Sequence, residues 1–139
     1  MPTKAFIPNN TEIIFQLIDG EYILLNLTNG NYFSLDNIGV LIWDCVINAV
    51  PQDVFIDVIY ECLPKKNIEI VKSVELVFAA LLLEGLSMPC NTPSSDYENF
   101  IERIKKTISS DALALKPATL HAYKFIQEKY AHPCGVKKI

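Results

Sequence analysis

Few side chains in this chain can do bond chemistry. They are four cysteines, Cys45, Cys62, Cys90 and Cys134, and two histidines, His121 and His132. No two cysteines stand as C-x-x-C or in any other tight pair, the spacing that a zinc site or dithiol exchange requires. His132-Pro133-Cys134 brings an imidazole near a thiol, but two donors beside a proline complete neither a metal site nor a nucleophile–base pair. There is no Ser/His/Asp set, no H-E-x-x-H and no phosphate-cradling glycine loop, and the five glycines are scattered. The expectation is a protein that binds, not an enzyme, with no catalytic residue, no metal and no cofactor.

The bulk properties point the same way. Of 139 residues, half are hydrophobic and 20% charged, so a core can be buried and wholesale disorder is excluded. The length suits one modest domain with an extension. The formal charge is −4 but unevenly spread. Residues 1–95 hold four lysines against eleven carboxylates, net −7, and residues 96–139 hold eight cations against five carboxylates, net +3. A whole-chain basic footprint for nucleic acid is absent. No apolar run approaches the ~20 residues of a membrane span. Met1–Pro8 lacks a signal-peptide apolar region, so a cytoplasmic location, no membrane partner and free thiols are expected. The sequons at Asn9 and Asn26 then count as chance matches.

The elements follow from periodicity and turn chemistry. Residues 11–18 and 21–28 read as strands joined by Asp19-Gly20, a dipeptide suited to the positive φ angles of a type I′ turn. Asn29-Gly30 marks a second turn into a short strand over residues 31–35. A three-stranded antiparallel meander results, and a sheet so small must pack on something. Three helices supply the support. The first follows an N-cap at Asp36 or Asn37 and buries Ile38, Leu41, Ile42, Cys45 and Val46, with Trp43 as a core anchor. The second starts at Pro51 and buries Val54, Val58, Ile59 and Cys62. The third spans 67–84, with Ile70, Val71, Val74, Phe78, Leu81 and Leu82 on its apolar side and Gly85 as its left-handed stop. The fold class expected is α+β. Residues 1–88 form the domain, 89–95 a linker and 96–139 a basic helical extension. In the extension Ser95 and Glu98 match a capping box. A helix runs to about 109, and a second helix from Pro117 presents Leu120, Tyr123, Ile126 and Tyr130.

The run Asp19-Gly20-Glu21, Ile23 to Leu27, Gly30-Asn31-Tyr32-Phe33-Ser34-Leu35-Asp36 and Ile42-Trp43 resembles PqqD-like proteins. The later Leu81-Leu82-Leu83-Glu84-Gly85-Leu86 is similar to that family's closing helix. The resemblance covers roughly residues 11–87. It implies the RiPP recognition element, three antiparallel strands followed by three helices in a winged-helix-like arrangement. It also implies a peptide chaperone that binds the leader of a ribosomally made precursor and presents it to a modifying enzyme, often a radical-SAM enzyme. In that family the groove lies between the third strand and the third helix. Here Asn31, Tyr32, Phe33, Ser34 and Leu35 would line one side and Val71, Val74, Glu75 and Phe78 the other. The third strand, as a sheet edge, would offer unpaired backbone to an added strand. The acidic body suits a leader carrying Lys or Arg. Phe33, Leu35, Val74 and Phe78 read equally well as core, and alternation favours exposure of Tyr32 and Ser34.

Three roles are open to the tail: packing on the body, docking on a partner enzyme, or filling the groove of its own or another copy. An open sheet edge also permits a strand-exchanged homodimer. Rival functions are a winged-helix DNA-binding regulator and a structural subunit of a modifying complex. The first is disfavoured by Glu69, Glu75 and Glu84 on the third helix. Phe33→Asp and Val74→Asp are expected to weaken leader binding, and removal of residues 96–139 to leave a folded body.

Overall fold

The first hairpin turns where the sequence places it. In the computed structural model, which describes residues 5–63, 67–92, 97–110 and 115–123, Asp19 and Gly20 both have positive φ, 51° and 81°. They join strands β2 (Ile13–Ile18) and β3 (Glu21–Asn26), with Ile18 opposite Glu21 and Ile13 opposite Asn26. A longer loop closed by Gly30 N–H on the Asn26 carbonyl leads into β4 (Tyr32–Leu35), antiparallel to β3. Alternation puts Tyr22, Leu24, Phe33 and Leu35 on the covered face, all buried.

Helices α1 (Ile38–Ile47), α2 (Gln52–Cys62) and α3 (Asn67–Leu83) follow. Asn37 caps α1, its side chain accepting from Ile38 N–H at 3.0 Å. Trp43 is fully buried and meets Phe15 edge to face at 5.3 Å. On α2 Phe55 and Ile59 have no exposure, with Val54 and Cys62 only partly covered. On α3, Leu82 turns out to solvent and Val77 turns in. The end of α3 is a Schellman motif: Leu86 N–H donates to Leu81 O at 2.9 Å and Gly85 N–H to Leu82 O at 3.1 Å, with Gly85 at φ 75°. Two asparagines from the strand half satisfy the carbonyls beyond. Asn26 Nδ2 donates to Glu84 O at 3.3 Å and Asn9 Nδ2 to Gly85 O at 3.0 Å.

The class is α+β, with four helices and six strands in two antiparallel sheets among the described residues. Three features depart from expectation. First, the boundary read at residue 88 falls inside β5 (Ser87–Cys90), which pairs with β1 (Ala5–Pro8) as a separate two-stranded ribbon. A two-stranded ribbon has only edge strands, where Pro8 and Pro89 are tolerated. Phe6 on β1 packs against Phe78 of α3, centroids 5.9 Å apart, and fastens the ribbon to the body. Second, α4 (Glu98–Ser110) is not an appendage. Phe100, Ile104 and Ile108, one stripe at helical spacing, are buried in the same cluster as Leu41, Trp43 and Phe55. A body without this helix would expose that cluster, which argues against the expectation that residues 1–95 suffice. Third, the second tail helix is absent at its start. Leu120–Tyr123 forms β6, hydrogen-bonded to β4, so the order in the larger sheet is β2-β3-β4-β6. The short helical pattern gives way because pairing with β4 satisfies two backbones at once, a tertiary gain that outweighs weak local propensity. Ser95, Ile126, Tyr130, His132 and Cys134 lie outside the described residues.

Candidate functional site

The third strand of the meander is therefore not an edge. β6 runs antiparallel along β4, with Tyr32 opposite Tyr123, Phe33 opposite Ala122, Ser34 opposite His121 and Leu35 opposite Leu120. The sequence alone left this arrangement as one of three roles for the tail. It fills the groove expected between β4 and α3.

The segment is held along its length. Leu115 and Ala118, upstream of β6, are each only 9% exposed and belong to the main apolar cluster. Ala118 N–H donates to Ser73 Oγ on α3 at 2.8 Å, while that hydroxyl donates to Ile70 O at 2.6 Å. Lys116 N–H donates to Asn37 Oδ1 at 3.2 Å. His121 Nε2 stands 3.4 Å from Asp36 Oδ1, a contact that becomes an ion pair when the imidazole is protonated. Tyr123 stacks on Tyr32, centroids 5.1 Å apart and planes within 17°.

The expected site residues divide into two groups. Tyr32 is exposed on the open face of the sheet as alternation suggests, whereas Ser34 is buried, against that expectation, because β6 covers it with His121 opposite. Asn31, half-buried and just before β4, accepts from Asn26 N–H through its carbonyl. Phe33, Leu35, Val71, Val74 and Phe78 are all buried, in the cluster that also receives Leu115 and Ala118. Glu75 faces solvent. Asp36, Asn37 and Ser73 make the polar contacts to the segment and were not singled out for that task. Asn37 carried a signal of a kind, since a residue that tolerates positive φ sat between strand and helix; its φ is 55°. Ser73 carried none beyond being a hydroxyl within an apolar helix.

A second polar cluster lies on the covered face of the sheet, where Tyr22 of β3 meets α1. Tyr22 Oη donates to Asp44 Oδ1 at 2.6 Å. Burial raises the Asp44 carboxyl above its ordinary range, partly opposed by the Tyr22 hydrogen bond and by Arg103. Burial, with the hydrogen bond and charge of Asp44, pushes the Tyr22 phenol far up. Nearby Cys45 is wholly buried and its thiol is held protonated. Among the described residues no group of three or more His, Cys, Asp or Glu is placed to hold a metal ion, and no helix is long and apolar enough to cross a membrane.

No family model, curated protein or solved structure matches the chain.

Proposed function

We propose that this chain is a peptide chaperone whose groove between β4 and α3 takes an extended segment by strand addition. The ligand is the leader of a ribosomally made precursor peptide, and the recipient is a modifying enzyme, of the radical-SAM kind by the resemblance to PqqD-like proteins. The observation that carries this reading is the antiparallel pairing of Leu120–Tyr123 on β4. It supports a groove with the spacing, the backbone donors and acceptors, and the side-chain anchors that strand addition requires. Three strands leading into three helices support the winged-helix-like recognition element. The exposed face of α3 carries Glu69 and Glu75 with Lys72, and Glu84 follows its last residue, a charge that suits a basic leader and repels a phosphate backbone. Ile68, Leu76 and Leu83 on the same helix are exposed apolar side chains suited to contact with an enzyme.

The test uses the full chain, labelled with ¹⁵N, and fluorescent synthetic peptides matching the N-terminal parts of short reading frames beside its gene. One of them should bind saturably, and the amides of Asn31–Leu35 and Leu120–Tyr123 should shift together as the resident strand is exchanged. Absence of saturable binding, or binding that leaves both strands unperturbed, would remove the assignment.

A further inference from the structure

The segment seated on β4 differs from the rest of the core in how it is held. The anchoring side chains of the body, such as Leu24, Leu35, Val74 and Ile108, have no measurable exposure. Within β6, Leu120 and His121 are only half-buried, and Ala122 and Tyr123 are exposed. Four of the segment's attachments are single polar or stacking contacts: Asn37 to Lys116, Ser73 to Ala118, Asp36 to His121 and Tyr32 to Tyr123. Single contacts of this kind each contribute about 1 kcal/mol. Beyond its ladder on β4 and the buried Leu115 and Ala118, the segment is held by these contacts, and a half-exposed terminal strand of this kind belongs to the more easily opened parts of a fold.

The same contacts describe a ligand. Leu115 and Ala118 are buried in the apolar cluster, Leu120 stands opposite Leu35, and Ala122, itself exposed, stands opposite Phe33. His121 and Tyr123 point to the open face, one against a carboxylate and the other flat on an aromatic ring. Lys116, Pro117 and Thr119 face solvent.

We propose that Leu115–Tyr123 is an intramolecular pseudo-ligand, and that it displays the sequence rule of the peptide the groove is built to take. That peptide runs antiparallel to β4. It carries apolar residues at the places of Leu115, Ala118 and Leu120, and a small one at the place of Ala122. A basic or hydrogen-bond-donating residue sits opposite Asp36, and an aromatic ring lies on Tyr32. This rests on the peptide-binding reading above and adds to it the ligand's chemistry and a competitor. Because the resident segment is tethered, its effective concentration is about millimolar, and it screens out weak ligands.

The test compares the full wild-type chain with His121→Asp/Tyr123→Ser. The double variant places a carboxylate beside Asp36 and removes the stack while leaving every buried side chain intact. The probe is a fluorescein-labelled synthetic peptide of residues 115–123, with a scrambled peptide as control. The double variant should bind the probe at least tenfold more tightly than wild type, with no binding of the scramble. Should the double variant lose its fold by circular dichroism, Tyr123→Ser alone should give a smaller shift in the same direction. Equal affinity for wild type and a folded variant, or no binding by the folded variant, would show the segment to be a fixed strand and overturn the proposal. The two readings separate cleanly. A precursor-derived peptide that perturbs β4 while the 115–123 probe fails leaves the chaperone reading standing and removes this one. Probe binding with no precursor-derived ligand does the reverse.

Discussion

Replacing Ile108 by alanine tests whether the C-terminal part of this chain belongs to the core. Ile108 has 0% exposure, and it ends the buried stripe of α4 that begins at Phe100 and passes through Ile104. The substitution removes three carbons from a fully packed position. The lost transfer energy and the residual cavity together cost about 2–5 kcal/mol. At roughly 2–4 °C per kcal/mol for a domain of this size, a mid-range cost of ~3 kcal/mol lowers the melting temperature by ~6–12 °C. The control is Leu83→Ala at the end of α3, where the side chain is 85% exposed and the expected change is within about 0.5 kcal/mol. Thermal unfolding by circular dichroism, with urea titrations for the free energies, reads both. If Ile108→Ala melts with wild type, the helix is not integral to the core, and the packing account of α4 is wrong.

Tyr22→Phe should change how stability responds to alkali. Above the ordinary phenol value of 10.0, the unfolded chain releases the Tyr22 proton while the native state retains it, so stability falls as pH rises. The slope from this one group is about 1.4 kcal/mol per pH unit. Urea titrations from pH 9 to 11 should show a shallower decline in the variant, and parallel curves would remove the Tyr22–Asp44 explanation. Gly85→Ala should cost about 1–2 kcal/mol through backbone strain alone, since a Cβ there meets nothing closer than Asn26 Nδ2 at 3.9 Å; Gly85→Asn should cost less, and a neutral alanine in the same titration would contradict the left-handed cap.

Periodicity and turn chemistry are local, and they made the first two-thirds of the chain legible. The Asp-Gly dipeptide dictated its turn, Gly85 its cap, and the stripe of α1 its buried face, while on α3 Val77 replaces Leu82 among the buried positions. Phe55 was missed beside Val54 because a one-residue shift in helix phase is invisible when both neighbours are apolar. β1 and β5 were missed because four-residue strands containing proline have no periodicity to read. They exist only because Phe6 finds Phe78 across some seventy residues of sequence. Along β4 alternation read the exposure of Tyr32 but not the burial of Ser34, and the contacts of Ser73 and Asn37 exist only because another segment lies against them.

Val74 shows why that distinction governs how the site can be probed. From the sequence, Val74→Asp looks like a groove substitution that should weaken leader binding. In the fold Val74 has no exposure and belongs to the cluster that takes in Leu115 and Ala118. An unpaired carboxylate placed there carries a desolvation cost of several kcal/mol, comparable to the whole stability of a small domain. Loss of binding would then report unfolding, and Phe33→Asp at 2% exposure suffers from the same confusion. The informative positions are those where the groove touches its occupant without holding up the core: Asp36, Ser73 and Tyr32 on the body, His121 and Tyr123 on the segment. On the proposed reading, a change at any of them shifts the balance between the β6 strand and an incoming peptide while leaving the hydrophobic core intact. At these positions the competition for β4 that we propose can be tested apart from folding.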